Sequence, residues 1–297
     1  MKKMLLIVNP CAGQRRAKKY LADIIDIFNR EGYMVVTYIT ESSGDGEAEV
    51  LRCADGMDLV VCCGGDGTFN ETISGILKGR LDIPVGYIPA GSTNDLASTL
   101  QLSFNLLEAA GDIVEGKAVD LDVGQFGDRY FTYVASFGLF TRTSYATPQD
   151  LKNLLGHTAY ILSGIQELSQ LKPHHVRFEL PDGKVIEDDF IFGAISNSTR
   201  VGGVLNLAKD KVNLQDGLFE LLLIRAPRSL PKLAECVQAL QKQTYDSDLL
   251  TFLSADSVKI TAPEEMDWTL DGEREHGNIE VEARCLRRAV RICCKSP

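Results

Sequence analysis

Three times within its first hundred residues the chain passes from a short apolar run through a glycine-bearing turn into helically spaced sequence. Met4 to Val8 leads through Asn9-Pro10-Cys11-Ala12-Gly13 to a helical pattern over 15–30. Leu59 to Cys63 leads through Gly64-Gly65-Asp66-Gly67-Thr68 to one over 70–78, and Pro84 to Ile88 through Pro89-Ala90-Gly91-Ser92-Thr93-Asn94-Asp95 to one over 96–100. Apolar runs without alternation suit strands covered on both faces, the condition of a parallel sheet flanked by helices. Tyr33 to Thr40 and the helical spacings over 47–54 and 106–115 complete the alternation, so this part predicts a parallel α/β domain. In such sheets the loops after the carboxyl ends of the strands gather in one crevice, where ligands bind.

After about Val119 the pattern changes. Tyr130 to Ala135, Val176 to Leu180, Phe190 to Ser196, Leu218 to Ile224, Ser257 to Ala262 and Ile279 to Ala283 read as strands, and Pro181-Asp182-Gly183 is a hairpin turn signal. A second, mainly antiparallel domain follows, interrupted by one helix over 149–171. The apolar face of that helix, carried by Leu151, Leu154, Leu155, Ile161, Ile165 and Leu168, is expected to be buried within the fold.

At 297 residues and a formal net charge of −10, the chain has room for two cores and lacks the basic excess of a general nucleic-acid binder. The apolar runs are strand-sized, and the run after Lys2-Lys3 breaks at Asn9-Pro10, so neither a membrane span nor a secretory leader is expected and the location is read as cytoplasmic. The eight cysteines form no CxxC pair and are expected to be reduced core or near-core residues. His157, His174, His175 and His276 have no metal-ligand spacing, and the arginines 284, 287, 288 and 291 read as a solvated face.

Chemistry concentrates in the three loops. Glycine lets backbone N–H groups approach an anion, and a helix N-terminus adds a favourable dipole. Asp66 is the odd residue there, because a carboxylate facing phosphates repels them unless a cation lies between; the loop therefore implies a divalent metal beside a nucleotide. The hydroxyls of Thr68, Ser92 and Thr93 and the carboxylates of Asp66 and Asp95 complete a cradle for a polyphosphate with its magnesium. No loop continues as Gly-Lys-Ser/Thr and none has GxGxxG spacing, which excludes the P-loop and dinucleotide fingerprints.

Gly64-Gly65-Asp66-Gly67-Thr68 with Asn70-Glu71, Asn9-Pro10 with Gly13, Gly91-Ser92-Thr93-Asn94-Asp95, Asp216-Gly217-Leu218 and Leu270-Asp271-Gly272-Glu273 carry, across essentially the whole chain, a resemblance to the catalytic domain of diacylglycerol kinases. Sphingosine and ceramide kinases and the soluble bacterial lipid kinases share that domain. The resemblance implies a nucleotide-binding catalytic domain over 1–123, rejoined by a returning segment over 285–297, and a β-sandwich-like lipid-acceptor domain over 124–284. It further implies ATP contacts from Asn9, Pro10, Cys11, Ala12, Gly13, Thr40, Gly64, Gly65, Gly67, Thr68, Phe69, Asn70 and Thr93. Asp66 would hold magnesium with Asp95 and Asp122, and Asn213, Asp216 and Leu218 would hold a second, structural magnesium.

Glu273 matches the family's general base, although the residues alone leave Asp271 as a competing carboxylate. The implied reaction is ATP-dependent phosphorylation of diacylglycerol, or a related lipid alcohol, by a peripheral enzyme at the inner membrane face. A homodimer is compatible with the resemblance. One departure is Gln14, followed by Arg15 and Arg16, where the family often has a lysine. The alternatives are an NAD kinase-like enzyme with a soluble acceptor and a nucleotide-binding regulator without catalysis. Asn70-Glu71, the Gly91 to Asp95 loop and Asp271-Gly272-Glu273 favour the lipid kinases over NAD kinase.

Overall fold

The computed structural model describes residues 1–13, 16–138, 172–201, 205–245, 247–263, 266–277 and 279–295. Gln14, Arg15, His157 and the helix expected over 149–171 lie outside them. The chain packs into two units, Met1–Val123 with Arg287–Pro297, and Gly124–Leu286.

The first unit alternates β1 (Lys2–Val8), α1 (Arg16–Arg30), β2 (Tyr33–Ile39), α2 (Asp45–Cys53), β3 (Leu59–Gly64), α3 (Asp66–Lys78), β4 (Val85–Pro89), α4 (Asp95–Thr99) and α5 (Leu106–Glu115). β1 lies between β2 and β3, and β3 between β1 and β4, all parallel. The inner strands are buried on both faces over Met4 to Val8 and throughout β3, as their unbroken apolar runs require. β2, at the sheet edge, is only partly covered. α1 lays Ala17, Ile24 and Phe28 against this core, and α5 adds Leu106, Ala109, Ala110 and Ile113.

α3 starts at Asp66, four residues before the helical spacing suggested. Gly65 is the last extended residue, and the N–H of Phe69 already donates to the Gly65 carbonyl at 3.0 Å. Asp66 therefore sits in a helix first turn, where a carboxylate also meets the helix dipole favourably.

Beyond α5 come β5 (Lys117–Phe126), β6 (Arg129–Phe131), β7 (Val134–Gly138), β8 (His174–Glu179), β9 (Val185–Ser196), β10 (Arg200–Val201), β11 (Leu205–Asn206), β12 (Phe219–Arg225), α6 (Leu230–Gln241), β13 (Leu250–Ala255), β14 (Ser257–Thr261), β15 (Trp268–Leu270), β16 (Glu273–Glu275) and β17 (Glu280–Cys294). Within the second unit the pairings are antiparallel. β9 joins β8, β7 and β12, β12 joins β13, and β15 joins β7 and β16. Phe131, Phe137, Phe178, Phe190 and Trp268 centre its core, with the Phe137 and Trp268 rings 4.9 Å apart. The last residues of β17 belong to the first unit, where Ile292 and Cys293 pair in parallel with Val85 and Gly86.

Three expectations are corrected here. The strand read over Tyr130 to Ala135 is two, β6 and β7, because the N–H groups of Thr132 and Tyr133 are taken by a side chain instead of a neighbouring strand. The second unit contains α6, a helix other than the one expected, with Cys236 buried on it. β5 was missed because Asp120 and Asp122 interrupt it, and Asp is depleted in strands.

Candidate functional site

The loops after β1, β3 and β4 interlock through their backbones. The N–H of Asn9 donates to the Cys63 carbonyl at 3.0 Å, and those of Ala90 and Gly91 share the Gly64 carbonyl at 2.7 and 3.2 Å. Asn9 spans two loops: its Oδ1 accepts from the N–H of Cys11 at 2.9 Å and its Nδ2 donates to Thr68 Oγ1 at 3.0 Å. A Cβ on Gly91 would lie 2.6 Å from the Gly65 Cα, and one on Gly13, at φ +41°, would lie 2.0 Å from the Ala90 carbonyl oxygen. These contacts explain glycine there better than turn propensity does, since the neighbours are backbone and cannot move aside. Gly13→Ala is expected to cost about 1–3 kcal/mol of stability by thermal denaturation. Gly32→Ala, also at positive φ but with nothing within 4 Å, should cost less, and equal melting of both variants would contradict the interlock.

Asp66 lies in this cradle, 9 % exposed. Its Oδ2 accepts from the N–H of Asp95 at 3.1 Å, and its Oδ1 lies 3.3 Å from the Tyr87 hydroxyl, which also lies 3.2 Å from Asn94 Oδ1. One hydroxyl hydrogen serves one acceptor at a time, so Tyr87 links Asp66 to the third loop. Asn94, left-handed at φ 51°, closes that loop by accepting from the Gly91 N–H and donating to the Gly91 carbonyl. Asp95 is fully buried. The buried Asp66 carboxylate, held by the backbone N–H of Asp95, and the buried side chain of Asp95 itself lie beside a helix N-terminus that has no side-chain cap, a donor set that fits a polyphosphate with its magnesium.

The other expected contacts are distributed unevenly. Thr40 is buried at the end of β2, with its N–H on the Val8 carbonyl, while Cys11, Ser92 and Thr93 are exposed. The Phe69 ring is buried and stacked on Tyr87 with centroids 4.4 Å apart, which leaves its side chain to packing. Asn70 Oδ1 accepts from Ser74 Oγ. Sequence reasoning gave Glu71 no role. Its carboxylate accepts from the N–H groups of Gly44 at 2.7 Å and Gly46 at 2.9 Å, tying the loop after β2 to α3.

Asp122 is fully buried and accepts from the N–H of Arg288 at 2.6 Å, anchoring a positive-φ kink in β17. Asn213 and Asp216 each accept a backbone N–H two residues ahead, from Gln215 and Leu218, and so shape the turn before β12. Nearby Glu220 is buried, and burial, with the Asp216 charge second, pushes its carboxyl up to about 8. Among the described residues no group of three or more His, Cys, Asp and Glu side chains forms a ready metal cluster. All eight cysteines are free; Cys11 departs from the expected near-core placement by being exposed.

In the second unit the Asp-Gly-Glu turn separates its two acids by environment. Asp271, 4 % exposed and at φ 49°, accepts from the N–H groups of Thr132, Tyr133 and Val134 at 2.5, 3.0 and 3.0 Å and from the Thr132 hydroxyl at 2.7 Å. Burial pushes its carboxyl up, and these donors oppose that shift. Glu273, first residue of β16, is part-exposed and meets Arg129 Nη2 at 3.1 Å. Asp271→Ala would strand four donors in the interior and is expected to cost about 3–5 kcal/mol. A melting temperature matching the wild type would contradict that anchor.

Residues 3–126 match the Diacylglycerol kinase catalytic domain, and residues 134–294 match the YegS C-terminal NAD kinase beta sandwich-like domain. The Diacylglycerol kinase of Bacillus subtilis (strain 168) is 33% identical over 275 residues, 92% of this chain and 90% of that protein. The Diacylglycerol kinase of Staphylococcus epidermidis (strain ATCC 12228 / FDA PCI 1200) is 30% identical over 274 residues, 92% of this chain and 86% of that protein. In fold, the chain is similar to the crystal structure of a diacylglycerol kinase from Bacillus anthracis str. Sterne, with a TM-score of 0.75 at 22% identity over 99% of this chain and 97% of that one. With matched domains in sequence order over most of its length, the chain belongs to the diacylglycerol kinase family, its catalytic domain followed by a YegS-type C-terminal domain.

Proposed function

We propose that this protein is an ATP- and magnesium-dependent lipid kinase that transfers the γ-phosphate of ATP to the free hydroxyl of diacylglycerol or a related lipid alcohol. The observation that carries this reading is the buried Asp66 at the head of α3, beside Asp95 and inside an interlocked glycine cradle. Family membership, and relatives named diacylglycerol kinase, support the acceptor class. The backbone N–H groups at the start of α3 and the loop after β4 would hold the phosphates, and Asp66 with Asp95 would hold magnesium. Bound there, the metal would spread the negative charge of the γ-phosphate.

Glu273 accepts the hydroxyl proton as the acceptor oxygen bonds to the γ-phosphorus and the bond to the bridging oxygen breaks, releasing ADP. Asp271 instead sets the turn that carries Glu273, since its oxygens are committed to four donors. The turn at Asn213, Asp216 and Leu218 is assigned the structural magnesium, and Asp122 the support of the first unit.

Among the described residues no helix is long and apolar enough to cross a membrane. The acceptor is accordingly met at the bilayer surface by a peripheral enzyme. Mixed micelles of diacylglycerol and anionic lipid are expected to yield phosphatidic acid from ATP, and chelation of magnesium should stop the reaction. Absence of transfer under these conditions sinks the assignment.

A further inference from the structure

Arg129, at the start of β6, was singled out by no motif. Its Nη2 donates to Glu273 Oε2 at 3.1 Å and its Nη1 to Glu275 Oε2 at 2.7 Å. The guanidinium thus bridges two carboxylates, giving each one nitrogen, instead of gripping a single carboxylate with both. Among the described residues, Glu273 Oε1 accepts no hydrogen bond. Both partners hang from one rigid knot: β6 runs into the Thr132–Val134 turn that Asp271 holds, and Asp271 precedes Glu273 by two residues.

The side chains of Arg129, Glu273 and Glu275 are 37%, 39% and 23% exposed, so these ion pairs contribute little to stability. Geometry is what they supply. Resting on the reading of Glu273 as general base, we propose that Arg129 is its positioning residue, fixing Oε2 so that Oε1 meets the acceptor hydroxyl, with Glu275 sharing the guanidinium charge.

Charge sharing matters because a general base must remain basic. Glu273 and Glu275 alternate on one strand and share a face, so they repel each other and the cation between them offsets that repulsion. Burial works against the Arg129 charge, yet the two carboxylates hold its pKa above the ordinary value. The other charged groups on these elements point elsewhere in their bonding: Arg274 is taken by Asp267, and Asp271 by the backbone of the Thr132–Val134 turn.

The test is the pH dependence of kcat with diacylglycerol micelles and saturating ATP for Arg129→Gln, Arg129→Lys, Glu275→Gln and Glu273→Gln. Arg129→Gln should lower kcat about tenfold or more, leave KM for ATP unchanged, and move the acid limb to higher pH, because the lost cation raises the carboxylate's proton affinity. Glu275→Gln should move that limb to lower pH. Arg129→Lys, which keeps charge but cannot reach both acids as a fork, should restore the limb better than the rate, and it preserves the test if Arg129→Gln folds poorly. An inactive Glu273→Gln beside Arg129 variants with wild-type rate and limb, or with a uniform loss and no limb shift, overturns the positioning role alone. A fully active Glu273→Gln overturns the general-base reading, and the positioning role with it.

Discussion

Asp66→Asn is expected to lower kcat by about 10³-fold or more while the protein stays folded, since it removes charge from the point where a metal must offset the phosphates. The substitution is nearly isosteric. Tyr87 and the Asp95 N–H now hold separate carboxylate oxygens at 3.3 and 3.1 Å; in asparagine the carbonyl keeps the Asp95 N–H, and the amide N–H donates to the Tyr87 oxygen, whose hydrogen turns to Asn94 Oδ1. Thermal stability should therefore change by no more than about 1 kcal/mol, as for a retained hydrogen bond. The discriminating readout is magnesium dependence. The wild type saturates, whereas the variant should need far more magnesium for any residual turnover. A variant with wild-type kcat and magnesium saturation removes Asp66 from the metal role.

Glu273→Gln is the second large effect. Loss of a positioned general base lowers kcat by about 10²–10⁴-fold. KM for ATP should hold, because the phosphate cradle is built by other residues, and raising magnesium should restore nothing. Glu273 lies at a part-exposed rim and pairs with Arg129 at 3.1 Å, so its amide should melt close to the wild type. The two variants thus separate charge neutralisation from proton removal: both lose rate, and only the first responds to metal. Equal responses of the two to magnesium would contradict the division of roles.

Much of this was readable in advance because it depends on neighbours in the chain. The unbroken apolar runs of β1 and β3 require cover on both faces, and glycines between strand and helix require close backbone approach, so the parallel sheet and its loop cluster follow from local pattern. What escaped depends on residues far apart. Tyr87 reaches Asp66 across 21 positions, Glu71 reaches Gly44 across 27, and Arg129 reaches Glu273 across 144. No local spacing encodes such contacts. The break between β6 and β7 has the same origin, since residues whose composition suits one strand yield their N–H groups to Asp271, 137 to 139 positions away. Asp271 and Glu273 were equivalent as letters in a turn. Burial and four donors make one an anchor and leave the other at the rim.

The central claim is tested most directly by incubating the purified protein with γ-labelled ATP and magnesium over a panel of acceptors: diacylglycerol, other long-chain alcohols, and NAD. Label is expected to enter the organic phase as a phosphorylated lipid, phosphatidic acid when diacylglycerol is supplied. Label confined to a soluble dinucleotide, or remaining on ATP with every acceptor, would contradict a lipid kinase.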